Sequence, residues 1–527
     1  MAINDMIYKL RMDANLSQEQ FANIFNVSRQ SVQKWENGIS VPELSKIIEI
    51  SKRFDVSLDS LILNRDYRIA KMLKYSKKMT PNYSYVHDWE YYTSGILTEY
   101  QQSIDEGLDI EGYKELFKAV SRLPKDEVKK KFGDVLYDVI INADTRQDYK
   151  YFEPSNIEEI RGLQKDFSLS NKLIRRNLED KIYGAWIGRM CGCMLGKTVC
   201  GICTDELISF LKEINNYPMH RYIYKSDIND KICNKYNFNF FNVPYADKID
   251  GMPFDDNINY LILSQLVIEK FGIDFTPYDV SRIWLGYQPR DAYCTTERVA
   301  FCNFVNGYEP PQSAFYKNPY REWNGAQIRG DYYGYINPGN PVLAAEMAWR
   351  DASISHVKNG IYGEMFVAAM IAVAAVTKNM EQVILGGLSR IPYTSRLYED
   401  IIFVLDSYKN GVSKKKCFGL IHEKYDEHNE YDWNHTNPNI MVVAASLLYG
   451  EGDYSKSICM AVETGFNTAC NGATVGSVLG MVNGFGGIDE CWKKVIHDTL
   501  YTLILGIGTA KISERVKLTM EHINNSD

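Results

Sequence analysis

Asp255 and Asp256 are adjacent carboxylates that follow a proline and open an amphipathic helix carrying Leu261, Leu263, Leu266 and Val267. Paired acids at a helix start suit a hard cation, because both project into one cleft. Two further stretches carry groups of the same kind. Arg350-Asp351-Ala352-Ser353-Ile354-Ser355-His356 precedes Asn359-Gly360 and a long apolar helix. Gly465-Phe466-Asn467-Thr468-Ala469-Cys470-Asn471-Gly472 lies between two helices, where its backbone amides can wrap a polar ligand. Each signal alone is bland. An Asp pair at a helix start is commonly a cap, and a lone histidine is commonly a satisfied core residue. Cys200-Gly-Ile-Cys203 is a single CxxC with no second pair and no neighbouring histidine in sequence, so it reads as packed free thiols rather than as a four-ligand zinc site.

A different set of polar groups lies near the N-terminus. Ser17 precedes Gln18-Glu19-Gln20 as a capping box, and Ser28 caps the next short helix. Taking Gln18 as the start of a two-helix unit puts small Ala22 at the helix crossing and Asn26 at the turn, where asparagine tolerates left-handed angles. Val32 and Trp35 then face inward, while Arg29, Gln30, Ser31, Gln33 and Lys34 stay on the solvent side. Those are side chains that a recognition helix offers to a major groove.

The elements that must position these groups fall into three segments. Residues 1–65 form short amphipathic helices on Phe21, Ile24, Phe25, Val32, Trp35, Ile47, Ile48, Ile50, Leu58, Leu61 and Ile62, a five-helix unit. Residues 66–145 read as a helical connector with a possible dimer contact; one apolar face is Leu116, Phe117, Val120 and Leu123, another Val128, Phe132, Val135, Leu136 and Val139. Residues 146–520 read as a large all-α bundle, since period-2 strand patterns are scarce. In it Gly184, Gly188, Gly192 and Gly196 recur every four residues, as do Gly472, Gly476 and Gly480. A glycine face costs about 1 kcal/mol per residue against alanine, so it needs a packing or ligand reason.

The chain of 527 residues carries 59 Lys+Arg against 67 Asp+Glu, a net charge of −8, so nucleic-acid binding must be local and geometric. The N-terminus has no apolar run behind a basic start, and the apolar stretch 365–376 is too short to span a bilayer. Eleven cysteines, an odd count, fit reduced thiols in a cytoplasm.

Residues 28–62, SRQSVQKWENGISVPELSKIIEISKRFDVSLDSLI, resemble the Xre/Cro/phage-repressor helix-turn-helix family. The resemblance implies a double-stranded DNA operator, with Arg29, Gln30 and Lys34 on base edges and Gln18, Ser31 and Asn37 on phosphates. Residues 1–64 hold seven Lys/Arg and eight Asp/Glu, so one copy binds weakly and a homodimer on a palindrome is expected.

The stretches YGAWIGRMCGCMLGKTVCG (183–201), AAEMAWRDASISHVKNGIYGEMFVAAMIAVAA (344–375), WNHTNPN (433–439) and GFNTACNGATVGSVLG (465–480) are similar to the ADP-ribosylglycohydrolase family. That resemblance implies an all-α fold with two magnesium ions beside an ADP-ribose cleft. Asp255 and Asp256 would be the remaining metal-ligating and catalytic carboxylates. Asn257, Asn467 and Ala469 stand where the family pattern has acids, so the magnesium site is expected to be incomplete. The expected ligand-binding residues are Arg321, Glu322, Asp331, His356, Asn467, Thr468, Cys470, Asn471 and Gly472, with Asn306, Trp323, Gln327 and Arg329 also on the cleft-lining pattern. The reading is a cytoplasmic transcription regulator that senses ADP-ribose or a related group. An active hydrolase with an atypical metal site, or a protein-interaction partner of an ADP-ribosyltransferase, are the alternatives.

Overall fold

The computed structural model describes residues 3–56, 58, 61, 81–169 and 172–525. The chain divides into two compact units, Met1–Val86 and His87–Asp527. Residues 62–80, where the connector reading begins, lie outside the described residues, as does most of the expected fifth helix of the first unit.

In the first unit, α1 (Ile3–Asp13), α2 (Gln18–Ile24), α3 (Arg29–Glu36) and α4 (Leu44–Phe54) enclose Phe21, Phe25, Val32, Trp35, Ile47, Ile50 and Leu61. Ile24 and Leu58, expected inside, are 38% and 40% exposed. Ser17 and Gln20 make the reciprocal cap that starts α2. Ser28 starts α3 through the Ser31 amide. Between the two helices Asn26 takes φ 50°, and after α3 Gly38 takes φ 70°. Arg11 ties the unit together, donating to the Glu36 carboxylate at 2.5 Å and to the Leu16 carbonyl.

Among its described residues the second unit is all-α apart from one two-stranded ribbon, β1 (Thr499–Tyr501) against β2 (Thr509–Lys511). It begins with α5 (Ile96–Asp105), α6 (Lys114–Ser121) and α7 (Glu127–Ile141), so residues 87–145 fold within the same unit as the large bundle. Of their two apolar faces, Phe117, Val120, Leu136 and Ile140 are buried, while Val128, Phe132 and Val135 are exposed along α7.

The bundle itself is organised by α8 (Leu178–Lys197), α9 (Asp256–Phe271), α10 (Thr295–Val305), α11 (Pro341–Ala352), α12 (Lys358–Ala374), α13 (Arg396–Lys409), α14 (Lys414–Lys424), α15 (Thr436–Gly450), α16 (Tyr454–Glu463) and α17 (Thr468–Asn483). α12 is apolar all round and buried along nearly its whole length, as expected of a central helix. No helix among the described residues is long and apolar enough to cross a membrane.

The glycine face has a packing reason. α8 and α17 lie antiparallel with their backbones in contact, Gly184 on Gly480, Gly188 on Gly476 and Gly192 on Gly472. A Cβ at any of these positions would overlap the opposing carbonyl oxygen. Antiparallel pairing sets the last turn of α8 against the first turn of α17, where the Thr468 hydroxyl donates to the Gly196 carbonyl at 2.8 Å. Gly476→Val forces the backbones apart, and overpacking of this kind typically costs about 1–3 kcal/mol. The expected result is at least a loss of that size in denaturant unfolding, whereas Gly419→Ala, which meets open space on α14, should leave stability within about 0.5 kcal/mol.

Candidate functional site

Three helix ends converge at the end of this glycine seam. α9 starts with Asp255 as its N-cap, accepting from the Asn257 amide at 2.9 Å. α17 starts with Asn467 as its N-cap, whose Oδ1 accepts from the Cys470 amide. α8 ends in Lys197, a cation at a helix C-terminus, where the macrodipole favours it. Between them lies a cavity of about 230 Å³, lined by Lys197, Cys200, Asn242, Val243, Pro244, Asp255, Asp256, Asn257, Asn467, Ala469 and Cys470. This is small beside the roughly 300–1,000 Å³ of pockets that engulf a ligand, so it suits one end of a larger molecule.

The Lys197 ammonium donates to Asp255 Oδ2 at 2.5 Å. Burial would raise the Asp255 carboxyl, but this ammonium holds it well below the usual range. Asp256 goes the other way, because burial and the neighbouring Asp255 charge push its carboxyl up. Asn257 is fully buried, and its Nδ2 donates to Asp255 Oδ1 at 2.8 Å and to Asp256 at 3.3 Å. Ala469 contributes no donor atom. Asn467 spends its oxygen on the helix cap.

This donor set does not fit two magnesium ions. Mg²⁺ binds through carboxylates and keeps near-octahedral oxygen geometry. Here one carboxylate is already neutralised by an ammonium, and the other is disposed to keep its proton. The three flanking side chains are neutral.

The residues expected from sequence to bind ligand or metal do not all reach the cavity. Asp255, Asp256, Asn257, Asn467, Ala469 and Cys470 line the cavity. Thr468, Asn471 and Gly472 sit in the buried first turns of α17; Thr468 caps α8, Asn471 donates to Asn439 Oδ1 at 2.9 Å, and Gly472 meets Gly192. Arg321, Glu322, Asp331 and His356 belong to a buried polar core. Arg321 pairs with Glu106 at 2.6 Å and Glu99 at 2.7 Å, from α5 and the residue after it. Glu322 accepts from Gln102, Asn359 and Arg396. Asp331 pairs with Arg189 at 2.9 Å. His356 is fully buried; its Nε2 accepts from the Ala326 amide and its Nδ1 bonds the Ser355 hydroxyl. Asn306 is exposed at the C-terminus of α10. Trp323, Gln327 and Arg329 are buried. Trp323 Nε1, both amide atoms of Gln327 and Asn471 Oδ1 make no hydrogen bond among the described residues, and such groups call for a water or ligand partner.

In the first unit, Arg29, Gln30, Lys34 and Asn37 are exposed and Ser31 is half-buried beside Ser28. Gln18 turns its amide to Glu36 at 2.7 Å.

Lys197 and Glu297 were not singled out in sequence. Lys197 follows Gly196 in an apolar run, and only the packing of α9 against the end of α8 brings it to Asp255. Glu297 is buried on α10 beside Arg329 at 3.3 Å, with Asp351 nearby. Burial pushes it up to about 7, despite the opposing pull of Arg329. An unfolded glutamate titrates near about 4.3. The folded state therefore holds an extra proton between those values, and stability present below pH of about 4 is lost as pH rises through about 7. Glu297→Gln removes that titration. Denaturation midpoints at pH 5 and pH 8 should fall for the parent chain and change less for Glu297→Gln; equal slopes would mean an ordinary Glu297.

Comparison with known proteins gives a family match for each of the two regions. The ADP-ribosylglycohydrolase family profile matches residues 175–521, and a helix-turn-helix profile matches residues 7–61. The HTH-type transcriptional activator BcrR of Enterococcus faecalis is 31% identical over 87 residues, 16% of this chain and 43% of BcrR. The chain thus spans less than half of that relative. Among solved structures, an ADP-ribosylglycohydrolase-related protein complex aligns with a TM-score of 0.44 at 16% identity, over 67% of this chain and all of that one. With the family profile covering well over half of its length, the chain belongs to the ADP-ribosylglycohydrolase family and carries a helix-turn-helix domain at its N-terminus.

Proposed function

We propose that this protein is a cytoplasmic transcription regulator whose glycohydrolase-family domain binds ADP-ribose, or a closely related nucleotide or ADP-ribosylated group, without two-metal hydrolysis. The observation that carries this reading is the Lys197–Asp255 pair inside the cavity. It puts a fixed ammonium where the family resemblance leads one to expect metal. An ammonium attracts the phosphate and hydroxyl oxygens of a nucleotide but does not activate water as a divalent ion does.

The DNA half of the reading rests on the exposed Arg29, Gln30, Lys34 and Asn37 of the recognition segment. Arg29 is suited to guanine and Gln30 to adenine. A homodimer on a palindromic operator remedies the near-neutral charge of the DNA-binding unit. The exposed row Val128, Phe132 and Val135 on α7 is an apolar face that such a dimer would cover. For the ligand to control the operator, it must bind the DNA-competent arrangement and the incompetent one unequally. Asp256, disposed to keep its proton inside the cavity, favours a second reading, in which a hydrolase uses it as an acid with one cation.

Calorimetry of the full chain with ADP-ribose, with and without Mg²⁺, together with single-turnover release of ADP-ribose from modified arginine, serine or nucleobase, separates the two. Mg²⁺-independent binding without release is the expected result, and Lys197→Met should weaken that binding at least tenfold. Metal-dependent turnover would establish the hydrolase instead. Arg29→Ala combined with Gln30→Ala should lose operator-specific binding by at least tenfold, at about 1–3 kcal/mol per base contact. The ligand-induced thermal shift should persist in that double variant; joint loss of both properties would contradict separate modules.

A further inference from the structure

The two cysteines of the CxxC leave the end of α8 toward different surroundings. Cys200 lines the cavity, its Sγ 3.9 Å from Asn467 Oδ1. Cys203 begins the next helix, Thr204–Glu213, on the far side of the 465–467 loop. There its Sγ, a carboxylate oxygen of Glu427 and a ring nitrogen of His428 lie within 4.8 Å of one another. The histidines absent near the CxxC in sequence are thus supplied in space by the end of α14 and the loop after it.

The surroundings of this trio have the features of a metal site. Glu427 is buried and oriented by backbone amides, accepting from Thr204 at 2.7 Å through Oε1 and from Phe466 at 3.4 Å through Oε2. His422 lies on the same side. Its Nε2 is 3.0 Å from the Thr464 carbonyl, an oxygen that can only accept, so Nε2 carries the hydrogen. The other nitrogen, Nδ1, faces Glu427 Oε1 at 3.9 Å. Asp205 Oδ1 adds a carboxylate 3.8 Å from His428 Nε2.

We propose that Cys203, Glu427 and His428 bind a zinc ion, with water in the fourth position. A thiolate, an imidazole and a carboxylate are the donor mixture of a borderline cation, whereas Mg²⁺ and Ca²⁺ require oxygen alone. The Cys203 thiol gives up its proton to solvent as the sulfur–metal bond forms, so zinc affinity rises with pH. Position gives the site a consequence. Glu427 packs against Gly465, where a Cβ would overlap its carboxylate, so the metal bears on the loop that leads into Asn467 and the cavity wall.

The test uses the purified full chain, stripped with a chelator and titrated with ZnCl₂ against a chromophoric competitor, with Co²⁺ substitution to read sulfur ligation by its charge-transfer absorption. One zinc per chain is expected. Cys203→Ser and His428→Ala should each weaken binding at least tenfold, and Cys203→Ser should abolish the sulfur–cobalt band. Cys200→Ser should retain both zinc and the band. His428 is exposed, so His428→Ala carries the test if Cys203→Ser fails to fold in a thermal melt. No zinc bound by the parent chain, equal binding by His428→Ala, or loss in Cys200→Ser alone would overturn the proposal.

Discussion

Backbone contact between α8 and α17 is the constraint from which the rest of the large unit follows. Two helices can approach this closely only where neither carries a Cβ on the shared face, and the facing glycines of the two helices meet that condition. The cost is the lost helical propensity of each glycine, of the order of 1 kcal/mol. The return is positional. Close antiparallel packing leaves little freedom in how the helices slide past each other, so Lys197 and Asn467 arrive at the same point. Arg189, also on α8, then fixes the start of α9 by donating to the Asn257 carbonyl at 3.0 and 3.2 Å while pairing with Asp331. Asp255 is thereby delivered to Lys197 with help from Arg189 and Asp331, which do not line the cavity.

A second layer of order is ionic. Arg321, Arg329 and Arg396 are all deeply placed and shared among Glu99, Glu106, Glu153, Glu297, Glu322, Asp351 and Glu364. Buried pairs of this kind contribute little net stability against apolar packing, but losing one member leaves an uncompensated charge, which is strongly destabilising. Their effect here is to tie α5, α10, α11, α12 and α13 to the 318–331 segment. The helices of residues 87–145 are held by the same bonds, through Glu99, Gln102 and Glu106. That is why they fold with the bundle instead of standing apart as a connector.

The cavity and the Cys203 cluster lie on opposite sides of one short loop, 465–467. Phe466 adopts φ 50° there, and its ring stacks on His422 at 4.9 Å between centroids. A backbone held in a left-handed conformation by a stacked ring and a buried carboxylate is ordered from the outside. Asn467 on the cavity side is therefore placed by groups on the metal-binding side.

Much of the fold was legible in the chain. The caps Ser17 and Ser28, the turn at Asn26, the glycine period of four and the unbroken apolar run of α12 are local properties, dictated by hydrogen-bonding and backbone sterics within a few residues. The absence of acids at Asn257, Asn467 and Ala469 was equally visible, because it needs only residue identity. What the sequence could not specify was which charges meet. Arg321 and Glu106 are separated by 215 residues, Lys197 and Asp255 by 58, and Cys203 and Glu427 by 224. A polar residue looks the same in sequence whether it lines a cavity or closes a buried ion pair. Only the packing of α8 on α17 and of α5 on the bundle decided that His356 and Glu322 sit in buried hydrogen-bonded networks and that Lys197 faces the cavity, since electrostatic partners are chosen by distance in space and not by position along the chain.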